Sequence, residues 1–287
     1  MNTQEKSTHK IQEHWATIRS SLRSHDSATE GINVDRINAH FDEADLEVKP
    51  VVFLNSKDYD YYYNFLDDSA ATLRSSGVYA PDIQTALIRR ELSADQPREA
   101  VRAETVAVHE LAHSATIETQ PYIHYTEAGR IFKRGSATLH AVRNGFSQHE
   151  NPIQKFNRGR LIEEGYAELE RGLYVQNNDL EGQLLRGSQN LNDIRESAIP
   201  LHYWTQERPG RAYSSIGAVG ASVLELLTKE DPTLLNSLRE GRGNANGLRD
   251  VAKKINAIES GLYQNMRTVH TRSEFETLLE DVHSRFN

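Results

Sequence analysis

Val106-Ala107-Val108-His109-Glu110-Leu111-Ala112-His113-Ser114 is the stretch on which the reading of this 287-residue chain turns. His109 and His113 are four residues apart, about one helical turn, so on a helix their imidazoles share a face and can converge on one metal ion. Glu110 comes roughly 100° further round, flanking that face, where a carboxylate reaches a water beside the metal without being a ligand. Residues 103 to 112 contain neither Gly nor Pro, and Val101, Val108, Leu111 and Ala112 supply an apolar side to bury. The pattern predicts a metal helix from Pro97 to about Glu118. Neutral imidazoles around zinc, with one position left open, are the usual catalytic arrangement.

Composition narrows the function classes. With 37% hydrophobic and 26% charged residues the chain is globular rather than disordered. A net charge of -8 leaves no basic surplus to neutralise phosphates, which argues against nucleic acid or an anionic membrane as partner. No apolar run approaches the ~20 residues of a membrane span. Met1-Asn2-Thr3-Gln4-Glu5-Lys6 leads into polar sequence without the apolar core of a secretory signal, so a cytoplasmic protein is the default expectation, with signal-less secretion left open. The absence of cysteine excludes disulfides, thiolate ligands and a cysteine nucleophile together. Any metal must be held by His, Asp or Glu.

Upstream of the metal helix, Ile11, Trp15, Ile18 and Leu22 form a narrow helical seam, followed by a second apolar set of Ile32, Val34, Ile37 and Phe41. Residues 1–45 are therefore expected to be a helical segment, either packed on the main domain or covering the active site. Residues 46–118 form an N-terminal sublobe: a strand over Glu47–Leu54, a helix over Asp58–Arg74, turn chemistry at Gly77–Asp82, and a returning strand from Ile83 to Leu92. That last strand, just before the metal helix, is by analogy where an extended substrate would bind along an exposed edge.

Residues 119–158 read as an insert with short strands at Tyr122–Tyr125, Arg130–Lys133 and Thr138–Val142, and a hairpin signal at Arg143-Asn144-Gly145-Phe146. Residues 159–287 form a helical lobe that opens with a helix from about Gly159 to Tyr174, capped by Asn157. Asn177 to Asn192 reads as loop or weak helix. A buried helix forms the second half of Arg211–Leu227, and helices follow at about 232–239, 246–259 and 272–285. Strands before the metal helix and helices after it make an α+β, two-lobed architecture.

Two histidines do not complete a metal site. A third His six residues after the second is not available, because the relevant positions are Thr116 and Thr119. Downstream, Leu161-Ile162-Glu163-Glu164-Gly165-Tyr166-Ala167-Glu168 places Ile162, Gly165, Tyr166, Leu169 and Leu173 on the core side of a helix. Glu164 and Glu168 lie on one flank, Glu163 and Glu170 on the other, and helical geometry does not choose between them. His-Glu-Leu-x-His followed by Glu-Gly-aromatic-Ala resembles the zinc site of gluzincin metallopeptidases, especially the aminopeptidase-N-like branch.

That resemblance implies a zincin-like fold, with Zn2+ held by His109, His113 and Glu164. It also implies that Gly165 permits close helix packing and that Glu168 supports the ligands from behind. Arg211-Ala212-Tyr213-Ser214-Ser215-Ile216-Gly217 is similar, with one extra residue, to the family's Tyr-x-x-Gly stretch, which implies Tyr213 as oxyanion donor, with His202 and Tyr203 behind it. The chain departs from the family in two further respects. Fifty residues (114–163) separate the two motifs, carrying His124, His140 and His149, and the exopeptidase signature Gly-x-Met-Glu-Asn is absent.

The expected activity is hydrolysis of a peptide or protein substrate, with Glu110 as general base and cleavage inside chains favoured over cleavage from an end. The rival expectation is a zinc-binding regulatory protein or single-target toxin on the same fold. Oligomeric state is not legible.

Overall fold

The computed structural model describes residues 16–22, 26, 28–44, 46–66, 76–80, 83–90, 96–115, 117–122, 138–144, 147–149, 157–185, 216–241, 245–269 and 272–286. The chain is α+β, as its pattern predicts. Residues 16–22 are helical, and then come α1 (Val34–Asp42), β1 (Val51–Asn55), α2 (Ser56–Leu66), β2 (Gly77–Ala80), β3 (Thr85–Arg90) and α3 (Gln96–Ala112). The three strands form one sheet in the order β1-β3-β2, with β1 parallel and β2 antiparallel to β3. Side chains alternate across it. Val52, Leu54 and Leu87 face a core built with Ile18, Leu22, Tyr59 and Tyr62, whereas Phe53, Ala86 and Ile88 face α1 and α3 through Ile37, Phe41, Val101 and Val108. The described residues of the N-terminal segment are thus built into these cores on both faces of the sheet; Ile11 and Trp15 lie outside the described residues.

Three expectations change here. Gly77–Ala80 is a paired strand, not turn, and it forms the sheet edge. β3, the strand before the metal helix, is central and bonded on both sides, so any edge pairing passes to β1 or β2. The metal helix also ends sooner than expected. Its α-helical stretch stops at Ala112, His113–Ala115 is one 3-10 turn, and β4 (Ile117–Tyr122) already begins at Ile117. Ser114 Oγ–H donates to Leu111 O at 2.6 Å, and the Thr116-Ile117 pair is β-branched; both work against continuing the helix.

β4 pairs with β5 (Thr138–Asn144), which pairs with β6 (Ser147–His149), which pairs with β7 (Asn157–Arg158), all antiparallel. Asn144 sits opposite Ser147, in keeping with a hairpin at 143–146; residues 145 and 146, the expected strand 130–133 and His124 lie outside the described residues. The next helix, α4 (Arg160–Asn177), is not capped by Asn157, which belongs to β7. Its N-cap is Gly159 at φ 78°, a left-handed conformation that glycine adopts without the Cβ penalty.

The remaining helices are α5 (Glu181–Leu185), α6 (Ile216–Glu230), α7 (Thr233–Gly241), α8 (Ala245–Ile258), α9 (Leu262–Thr268) and α10 (Arg272–Phe286). Helix α9 has no counterpart among the helices expected from sequence. Their apolar faces make a helical core that includes Val219, Leu224, Leu238, Ile255 and Val282. Helices α3 and α4 belong to both cores: Leu111, Tyr174 and Val175 pack on the sheet side, Ala112, Leu161 and Tyr166 on the helical side. Among the described residues no helix is long and apolar enough to cross a membrane.

Candidate metal centre

α3 and α4 run antiparallel, so residues meet in a regular ladder along their seam. Glu104 meets Tyr174, His109 meets Glu168, and His113 meets Glu163 and Glu164. On its other side α4 is pressed against α6. A Cβ on Gly165 would overlap the Gly220 backbone, and a Cβ on Gly220 would overlap the Leu161 carbonyl. The expected role of Gly165 in close packing is realised. Gly217 does the same about one turn earlier on α6, where a Cβ would lie 2.8 Å from Glu168 Cγ.

At the site itself, His109 Nε2 and His113 Nε2 are 3.1 Å apart, and Glu164 Oε2 lies 3.8 Å from the first and 3.6 Å from the second. Among the described residues this is the one group of three side chains arranged to hold a metal ion. In a tetrahedral site with bonds of 2.0–2.1 Å, donors are separated by about 3.3 Å. The observed separations bracket that value, so the donor set fits such an ion.

The outer nitrogens are occupied as well. His113 Nδ1 is 2.9 Å from Glu163 Oε1, and since a carboxylate only accepts, the proton sits on Nδ1. Glu163 is 2% exposed, where a bare carboxylate would be costly. His109 Nδ1 lies 3.1 Å from Glu168 Oε1, an ion-pair contact off the line of a straight hydrogen bond, and Glu168 also accepts from Arg171 Nη1 at 3.3 Å. With both Nδ1 atoms turned to carboxylates, the two Nε2 atoms and Glu164 converge on one point. Three lone pairs at that spacing repel unless a cation lies between them.

The electrostatics follow. Burial by itself would lower the basicity of His113, but its hydrogen bonds to Glu163 and Glu164 and their charges hold its pKa well above the usual imidazole range. Burial would raise the Glu164 carboxyl; His113, His109 and Arg160 instead bring it down to about 2. Glu168, opposed by burial in the same way, is brought to about 2 by Arg171 and His109. A proton shared in this cluster does what a metal ion would do there.

Of the site residues expected from sequence, His109, His113, Glu164 and Glu168 are brought together. Glu110 lies on the α3 flank turned towards β2, against the backbone of Gly77. Tyr213, His202 and Tyr203 lie outside the described residues, and His140 and His149 lie on β5 and β6. Glu163, left open as an alternative ligand, is instead the partner of His113 Nδ1. Comparison with protein-family models, curated proteins and solved structures finds no match to this chain. The chemistry of the site is therefore inferred from its own atoms.

Proposed function

We propose that this chain is a zinc-dependent peptidase of the gluzincin type, hydrolysing bonds within peptide or protein substrates. The observation that carries this reading is the convergence of two imidazole Nε2 atoms and one carboxylate, each imidazole backed by a carboxylate on its other nitrogen. His109, His113 and Glu164 would hold the ion. Zinc bound there supplies Lewis acidity, which acidifies water and polarises a carbonyl. Glu110, adjacent in sequence to a ligand yet outside the ligand cluster, takes the proton of the attacking water and passes it to the leaving amine. Glu163 and Glu168 would orient the two imidazoles from their Nδ1 side, leaving each Nε2 for the ion. Tyr213 is assigned to the oxyanion by resemblance alone. β2, paired on one side with β3, supplies an edge along which an extended chain can add a strand.

The test is a peptide-library digest read by mass spectrometry, comparing wild type with Glu110→Gln in added zinc. Cuts made only by wild type support the peptidase and show whether it works inside chains or from an end. Zinc bound by both forms without any cut would move the assignment to a non-catalytic or single-target zinc protein. Absence of bound metal would overturn the reading.

A further inference from the structure

Gly77 opens β2, and its own backbone gives no reason for a glycine. Its φ is not in the left-handed region, and glycine inside a strand weakens it and marks close approach of something else. That something is α3. A Cβ at position 77 would lie 2.6 Å from Val106 Cγ1, 2.9 Å from Glu110 Cγ and 3.1 Å from Glu110 Oε1. The Glu110 side chain therefore rests on bare backbone.

The two neighbours do not yield equally. Val106 is β-branched, with one strongly preferred rotamer on a helix, and is buried in the core that α3 shares with the sheet. Glu110 is half-buried and has freely turning torsions. A side chain at 77 would thus be accommodated chiefly by displacing Glu110. The three atoms it would meet first belong to Val106 and Glu110, none to His109, His113 or Glu164.

We infer that Gly77 is a positioning residue for Glu110: the absent side chain at the start of the edge strand fixes where the carboxylate lies. This rests on the reading of Glu110 as general base. It explains why a four-residue edge strand begins on a residue poorly suited to one, and it couples the proposed substrate edge to the proposed base through the Gly77 backbone.

The experiment uses the full chain with Gly77→Ala, and Gly77→Ala combined with Val106→Ala. The second variant opens room on the Val106 side and leaves the Glu110 contact in place, so it answers for the first if that one folds poorly. Crystal structures of both should show the Glu110 carboxylate displaced by about 1 Å or more with both imidazoles unmoved. A displacement of that size costs about 100-fold in kcat, with KM and zinc affinity held within about 3-fold.

In a double-mutant cycle, Gly77→Ala should add nothing once Glu110→Gln is present. An unmoved Glu110 in the Gly77→Ala, Val106→Ala crystal structure would overturn the inference. So would an equal loss of kcat in the Glu110→Gln background. If wild type cuts no peptide, the peptidase reading fails on that ground, and the position of Glu110 in the two crystal structures still decides the inference.

Discussion

The two ends of the α3–α4 seam are built from the same materials and do opposite things. At the far end, Glu104 is 0% exposed and accepts from Tyr174 OH at 2.6 Å, from the backbone N–H of Asn33 at 2.8 Å and from the Arg36 guanidinium. Beyond the metal cluster, on the side of α4 turned to α1 and α7 and grouped with the far end, Glu170, also 0% exposed, accepts from Tyr166 OH at 2.7 Å, from Arg239 Nε at 2.7 Å and Nη2 at 3.0 Å, with His40 Nε2 at 3.1 Å. At the near end, Glu163, Glu164 and Glu168 meet His109 and His113. A guanidinium is permanently charged and has no lone pair to offer, so the far end is closed as it stands. An imidazole turned to a carboxylate through Nδ1 still has Nε2 to offer, so the near end keeps donor capacity that a cation could use. Buried carboxylates alone do not mark a reactive site; what their partners have left over does.

The largest effect expected at the near end is on rate. Glu110→Gln should lower turnover by about 10²–10⁴ while zinc content, measured by atomic emission, stays at wild-type level. An active variant would remove the base from this end. At the far end the largest effect is on stability. Arg239→Ala leaves Glu170 buried without its guanidinium and should cost about 3–5 kcal/mol in urea unfolding, with zinc stoichiometry unchanged. Zinc loss without loss of stability would erase the distinction between the ends.

A smaller effect separates ligand from supporter. Glu163→Gln should weaken zinc binding about 10–100-fold in a competition titration and leave the fold intact, whereas Glu164→Ala should abolish stoichiometric binding. The reverse order would exchange the two roles.

Acid tests the far-end pairing. His40 and Arg239, overcoming the opposing effect of burial, hold Glu170 at about 2 against an ordinary 4.5. A carboxyl lowered by folding stabilises the fold above its ordinary value and loses that contribution as pH falls from there towards 2. Glu170→Gln should flatten this region of the acid-unfolding curve, read by circular dichroism, and an unchanged curve would count against the far-end pairing. Smallest of all, Gly172→Ala meets no atom within 4 Å and should stabilise by about 0.5–1 kcal/mol in thermal unfolding, while Gly165→Ala, seven residues away on the same helix, destabilises.

What can be read from the chain follows from the range over which each interaction acts. His109, Glu110 and His113 are legible because one turn of helix fixes their relation. Glu163 and Glu164 are legible as a pair but not in their roles: adjacent carboxylates sit on opposite flanks, and both face His113 through different nitrogens. The far end is not legible. Arg36, His40 and Arg239 come from α1 and α7, and nothing local in Glu104 or Glu170 announces partners about 70 to 130 positions away. β2 reads as a turn because Gly77 and Pro81 are turn residues; the ladder with β3 and the contact with Glu110 override that preference. Asn157 loses its expected capping role because pairing with His149 holds it in β7.

The Gly165–Gly220 crossing has a mechanical consequence. Where two helices touch backbone to backbone, any rocking of one on the other turns about that point, and displacement grows with distance along the axis. Glu164 is one residue from the pivot, about 1.5 Å of rise, whereas Tyr174 is nine residues out, about 14 Å. Thermal swaying of the helical core would be felt by the far end as a swing of a long arm, and by the ligand carboxylate as almost nothing. Under such rocking the distances proposed to matter most for a bound ion would lie nearest the pivot.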